Sequence, residues 1–123
     1  MILSDRDIKK EIKAGEITLK PFKKEYVQPA SVDLHLDRHF LVFDTAKHFV
    51  IDPKSPAKDL MKPVEIKENE AFILHPNEFA LGLIYEETGV SAKLVGRLEG
   101  KSSLGRLGLI IHTTAGYLDP GNS

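Results

Sequence analysis

The chain has no cysteine among its 123 residues, which removes disulfides, thiol nucleophiles and cysteine-ligated metals together. It also lacks an excess of either charge, since 17 Lys and Arg against 18 Asp and Glu leave a formal net charge of −1. No global positive field draws it toward nucleic acid or a membrane surface, and neither is expected as a partner. Its first residues carry neither a long apolar run nor a basic flank, so no signal peptide or membrane span is expected and the cytoplasm is the default compartment. What is present is ordinary for a globular protein, 41% apolar and 28% charged, and the length suits one compact domain, residues 1–123, with a modest core.

The opening residues predict one short helix. Ser4 is a good N-cap, Asp7 can return a bond to it, and Leu3 and Ile8 are spaced for a hydrophobic staple. Ile8 and Ile12 share a face, and Gly15 supplies a left-handed stop. From there the period changes to that of strands. Ser31 to Asp37 alternates apolar and polar residues strictly, as on a half-buried strand, and further strands are expected at Phe40–Phe43, Ala71–Leu74, Phe79–Tyr85, Lys93–Leu98 and Leu107–His112. The Pro- and Lys-rich stretch from Asp52 to Pro63 reads as loop. Many short strands punctuated by Gly, Pro and Asn argue an all-β barrel or sandwich behind a short N-terminal helix. The turn Asp119-Pro120-Gly121-Asn122-Ser123 normally delivers the backbone into another strand, so the sheet is expected to be incomplete at this end.

Two segments carry the chemistry. Gly96 to Arg106 reads Gly-Arg-Leu-Glu-Gly-Lys-Ser-Ser-Leu-Gly-Arg. Glycines let a backbone approach phosphate, amides and hydroxyls donate to its oxygens, and Arg106 offers a charged fork. The spacing is not that of a Walker loop, and on composition alone a solvated polar turn is an equal reading. The second segment, His112-Thr113-Thr114-Ala115-Gly116-Tyr117-Leu118-Asp119-Pro120-Gly121, runs from an apolar strand into small residues, an aromatic and an aspartate. Ala115 and Gly116 leave bare backbone for a planar base, Tyr117 can stack on a base or cover a sugar, and Asp119 is a candidate base or sugar-hydroxyl acceptor. Asp-Pro-Gly by itself is usually a turn. The histidines His35, His39, His48, His75 and His112 show no ligand spacing, which with the missing cysteines argues against zinc. His112 reads better as a buried, hydrogen-bonded residue than as an acid or base, and Asp33 better as the pin of a strand turn than as a metal contact through water. Arg97 and Glu99 read as an ion pair at a strand edge or between subunits, and Lys23-Lys24-Glu25 as solvated surface.

Taken together, these segments resemble the dCTP deaminases and, more distantly, the trimeric deoxyuridine triphosphatases. Gly100-Lys101-Ser102-Ser103-Leu104-Gly105-Arg106-Leu107-Gly108 is similar to that superfamily's phosphate-and-base motif, Ala115 to Asp119 to its uracil-and-sugar motif, and Pro29-Ala30-Ser31-Val32-Asp33-Leu34 to its early Ala-x-x-Asp-Leu motif. The opening Met1 to Asp5 is typical of the deaminases.

The resemblance implies a distorted β-barrel, incomplete at the C-terminus, assembled as a homotrimer with active sites at subunit interfaces. It implies that Lys101, Ser102, Ser103, Leu104, Gly105 and Arg106 bind the triphosphate of dCTP or dUTP, and that Ser102 orders the attacking water or the phosphates. The backbone at Ala115 would hold a water near C4 of cytosine, and Asp119 would sit against the deoxyribose. Mg²⁺ would bind through the triphosphate, with no zinc and no protein metal ligands. The family's general-base glutamate is expected beyond Ser123. Ala115-Gly116 followed by an aromatic resembles the bifunctional members, which form dUMP, ammonia and pyrophosphate. Monofunctional deaminases that release dUTP carry a bulky basic residue at the position of Gly116. A monofunctional deaminase, a dUTP diphosphatase and a non-catalytic nucleotide-sensing module are the alternatives.

Overall fold

Ser4 caps helix α1 (Asp5–Lys13) as its sequence requires: the Asp7 amide donates to Ser4 Oγ at 3.4 Å, and that hydroxyl donates to the Asp7 carboxylate at 3.2 Å. Gly15, at φ +77°, ends the helix in a conformation that costs glycine little. The computed structural model describes residues 1–112 and 114–123, so Thr113 of the second motif lies outside the described residues.

The chain divides into two compact units. One comprises Met1–Leu34 and Glu86–Ser123. In it α1 is followed by strand β1 (Ile17–Lys20), which pairs antiparallel with β5 (Glu87–Val90), Ile17 opposite Val90. Later in the same unit β6 (Gly96–Arg97) pairs with β7 (Tyr117–Leu118), Arg97 opposite Tyr117. Between them lies a single turn of helix, α2 (Ser102–Gly105). Ile8 and Leu19 are the buried apolar residues here, and Glu86 is a buried carboxylate.

The second unit, His35–Tyr85, holds an antiparallel sheet in the order β3-β2-β4, with β2 at Leu36–Phe43, β3 at Met61–Glu65 and β4 at Ala80–Ile84. Phe40 is its buried residue. Val64 and Gly82 stand opposite it, and the Phe72 ring stacks on it at 3.9 Å between centroids.

The fold class is the expected one, mainly β behind a short N-terminal helix, and among the described residues none of the sheets closes on itself. Unclosed sheets fit the distorted barrel, incomplete at the C-terminus, that the resemblance implies. Among the described residues, no helix is long and apolar enough to cross a membrane.

Several expected strands are corrected. Ala71–Leu74 forms no ladder; its apolar character serves the Phe72 stack on Phe40. Leu107–His112 is also not a strand, because its first amides close α2. Gly108 at φ +86° donates to the Gly105 carbonyl and Leu109 to the Leu104 carbonyl, a Schellman closure. The alternation at Ser31–Asp37 yields only a bridge from Val32 to Val27 before β2 begins at Leu36. Of Lys93–Leu98 only Gly96–Arg97 is paired, and β3 takes Met61–Pro63 out of the expected loop.

Candidate functional site

The loop of the first motif is built on the turn of α2. Lys101 stands immediately before it, and its carbonyl accepts from the amides of Leu104 and Gly105 at 3.0 Å each. The turn leaves Ser102, Ser103 and Arg106 exposed. Among the described residues, neither serine hydroxyl nor the Arg106 guanidinium has a side-chain partner, and Arg106 is in no ion pair. The Lys101 ammonium, by contrast, donates to Asp33 Oδ2 at 2.8 Å.

The second motif lies directly against the approach to this loop. The Leu98 amide donates to the Gly116 carbonyl at 2.7 Å. The Leu98 carbonyl in turn accepts from Nε2 of His112. A methyl group built on Gly116 would stand 2.8 Å from the His112 ring, closer than carbon atoms tolerate. Gly100 is likewise packed by Ile111, 3.1 Å from where a Cβ would lie. So the backbone at 98–100 and the residues Ile111, His112 and Gly116 form one cluster, and glycine is required at 116 because the imidazole fills the space. His112 is hydrogen-bonded through Nε2 as expected but is half-buried and not buried, and its Nδ1, which is covered, has no partner among the described residues.

Ala115 adopts φ +54°, a left-handed conformation that an alanine side chain disfavours and that recurs at functional turns. Tyr117 is exposed, with the Arg97 guanidinium 5.9 Å from its ring centre. Arg97 also pairs with Glu99 at 2.6 Å within the same chain. Asp119 opens a turn in which the Asn122 amide donates to its carbonyl at 3.1 Å. That turn is pinned to β5, because the Gly121 amide donates to the Val90 carbonyl and the Val90 amide to the Asn122 carbonyl. The Asp119 carboxylate is exposed and has no partner among the described residues.

A shallow depression of about 280 Å³ lies at the loop, lined among others by Glu99, Lys101, Ser102, Leu109 and His112. A larger hollow, about 520 Å³, runs along α1, but it is bounded only by Asp5, Arg6, Lys9, Lys10 and Lys13. The second is a space between the side chains of one helix and brings no chemistry together, so the smaller depression is the better site. Among the described residues no three His, Cys, Asp or Glu converge as metal ligands.

Sequence reading placed the loop and the hairpin but missed what joins them. The wedge of His112 against Gly116 had a signal in the small residue itself. The link from Lys101 to Asp33, 68 positions apart, had none beyond the presence of both residues in motifs.

A family description, dCTP deaminase-like, matches residues 2–123. The chain belongs to the dCTP deaminase-like family. Among its curated relatives, the dCTP deaminase, dUMP-forming, of Corynebacterium kroppenstedtii is 57% identical over 121 residues, 98% of this chain and 65% of that protein. The protein of the same name from Corynebacterium glutamicum is 53% identical over 123 residues, 100% of this chain and 65% of the relative. That from Beutenbergia cavernae is 53% identical over 121 residues, 98% of this chain and 63% of the relative. The dCTP deaminase-like chain thus spans somewhat less than two thirds of the length of these relatives.

Proposed function

We propose that the full-length protein is a dUMP-forming dCTP deaminase, converting dCTP and two waters to dUMP, ammonia and pyrophosphate. The observation that carries this reading is the side-chain-free backbone at Gly116, closed on one side by His112 and Leu98. Relatives more than half identical in sequence bear the name of that activity.

In this reading residues 1–123 belong to one nucleotide-binding domain. Lys101, Ser102, Ser103, Leu104, Gly105 and Arg106 take the triphosphate, with Arg106 its strongest charge-assisted donor. Ser102 orders water or phosphate beside it. The backbone at Ala115, already in its left-handed conformation, holds a water near C4 of the cytosine. A glutamate from the strand expected after the Asp119-Pro120-Gly121 turn removes that water's proton. Asp119 lies against the deoxyribose and, once the base is uracil, orients a second water toward the α-phosphate.

The donors around the loop are cationic or hydroxylic, a set suited to phosphate oxygens and not to a bare divalent ion. Mg²⁺ would therefore be held by the oxygens of the triphosphate itself, and when bound it would supply positive charge to offset that of the leaving pyrophosphate. We assign the protein to the cytoplasm and to a homotrimer, whose contacts would cover apolar residues such as Leu107 and Ile110, both exposed in this chain.

Chromatography of an early time course from dCTP tests the reaction. Ammonia, dUMP and pyrophosphate should rise together without free dUTP, and Asp119→Asn should suppress pyrophosphate. Accumulation of dUTP in proportion to ammonia would make the protein a monofunctional deaminase. For the trimer, mixing an Arg106→Ala protein with one lacking the catalytic glutamate should restore activity; no rescue under proven subunit exchange would place each site within one chain.

A further inference from the structure

We infer that Asp33, steadied by Gln28, is a positioning residue that holds the Lys101 ammonium in place for the phosphates, an inference that rests on the proposed nucleotide site. Asp33 Oδ2 accepts from Lys101 Nζ at 2.8 Å and from Gln28 Nε2 at 3.3 Å. The backbone beneath is itself fixed. The Asp33 amide donates to the Tyr26 carbonyl and the Gln28 amide to the Ser31 carbonyl, both at 2.8 Å, while Val27 bridges Val32. The carboxylate thus projects from a closed turn and not from a free loop.

The geometry distinguishes positioning from competition. An ammonium has three donors, so one bond to Asp33 leaves two for phosphate oxygens. Side-chain exposure is 25% for Asp33 and 60% for Lys101. A largely covered carboxylate that surrendered its cation to a ligand would keep, among the described residues, only the Gln28 amide, an unfavourable exchange. The pair therefore persists when phosphate binds at the open side of the ammonium. A lysine on a four-carbon stem otherwise loses considerable rotamer freedom on gripping a ligand; here that freedom is already restricted. Lys101 is held at both ends, since its carbonyl is bonded to the amides of α2.

The test is a double-mutant cycle in the full-length protein, with inorganic triphosphate as calorimetric probe and dCTP turnover as a second measurement. Asp33→Asn should weaken triphosphate binding about 3–10-fold, the scale of ordering one flexible side chain. In a Lys101→Met background the same substitution should have no effect. The KM for dCTP should rise by the same factor with kcat nearly unchanged, because the lost interaction is equal in ground and transition states. Deoxycytidine binding should not move.

Gln28→Leu leaves every charge in place and should give a smaller weakening with the same dependence on Lys101; it carries the test if Asp33→Asn does not fold. Equal weakening in both backgrounds overturns the inference by making Asp33 structural. Tighter or unchanged binding in the Asp33→Asn single variant overturns it too, by making the carboxylate a competitor or a bystander. A wild-type protein that binds triphosphate without turning over dCTP refutes the proposed reaction while leaving the cycle readable. One that forms dUMP without coupling between Asp33 and Lys101 refutes only this inference.

Discussion

A side chain at position 116 should both strain the hairpin and change the product. An ideal Cβ on Gly116 falls 2.8 Å from His112 Cε1, 3.2 Å from Nε2 and 3.3 Å from the Leu98 carbonyl oxygen. Carbon atoms prefer about 3.5–4.0 Å, so the ring must retreat by roughly 0.7 Å or more. It cannot do so freely, because Nε2 is bonded to the Leu98 carbonyl and the Leu98 amide to the Gly116 carbonyl. Gly116→Ala should therefore cost about 1–3 kcal/mol, the range of an overpacked site, with loss of one hydrogen bond of about 0.5–1.5 kcal/mol at its lower end.

Gly116→Arg adds bulk and charge beside the proposed second water and should raise the share of dUTP in the product. Denaturant unfolding of the full-length protein reads the first effect, and chromatography of an early time course from dCTP the second. A Gly116→Ala/His112→Ala double variant supplies the control: with the ring gone, alanine at 116 should cost much less than it does alone. Unchanged stability in Gly116→Ala together with an unchanged product ratio in Gly116→Arg would refute the reasoning.

Two further outcomes follow from the same site and its frame. Arg106→Ala should weaken triphosphate binding by roughly 1.5–3 kcal/mol, the scale of a hydrogen bond to a charged group, with the nucleoside hardly affected; equal losses in calorimetry would place Arg106 in the scaffold. Glu16 donates a second readout, through pH: the Lys93 ammonium bonded to it at 2.7 Å, then Ser91, hold its carboxyl below the usual carboxylate range, and the same bond raises the lysine. The carboxylate's contribution is present above its unfolded pKa and lost as pH falls through the lower folded one, while the lysine's is present below its own unfolded pKa and lost as pH rises through the higher folded one. Glu16→Gln should therefore flatten the midpoint-against-pH curve at both the acid and the alkaline extreme, and identical curves for the two proteins would show the pair to be without effect.

The parts of the fold that were legible in the sequence are those decided by neighbours. Ser4, Asp7 and Gly15 specify the ends of α1 through bonds spanning a few residues. The strands were harder because apolar alternation reports which residues seek cover, and a ladder also needs a partner. Phe72 is covered by stacking on Phe40, and Leu107 to Leu109 spend their amides on closing α2. Both segments satisfy the pattern of a strand without being one. β3 was hidden for the opposite reason, since Lys62 and Pro63 lower its strand character while Val64, opposite Phe40, ties it to the core.

The candidate site divides along the same line. Its proposed chemistry was suggested by the sequence because phosphate recognition demands residue types that seldom crowd together by chance: glycine, hydroxyl and cation within a few positions of Lys101 and Arg106. Its architecture was not, because the contacts that assemble it join residues distant in the chain. Leu98 is bonded directly to His112 and Gly116, and Asp33 reaches Lys101 from a turn near the N-terminus. Two cations that look equivalent in the motif are thereby made different. Lys101 is held by a carboxylate and so is limited in where it can grip, whereas Arg106, without an ion-pair partner among the described residues, keeps its whole charge for a ligand. If the proposed site holds, an entering triphosphate would meet one ordered donor and one free one, the division that orientation and attraction separately require.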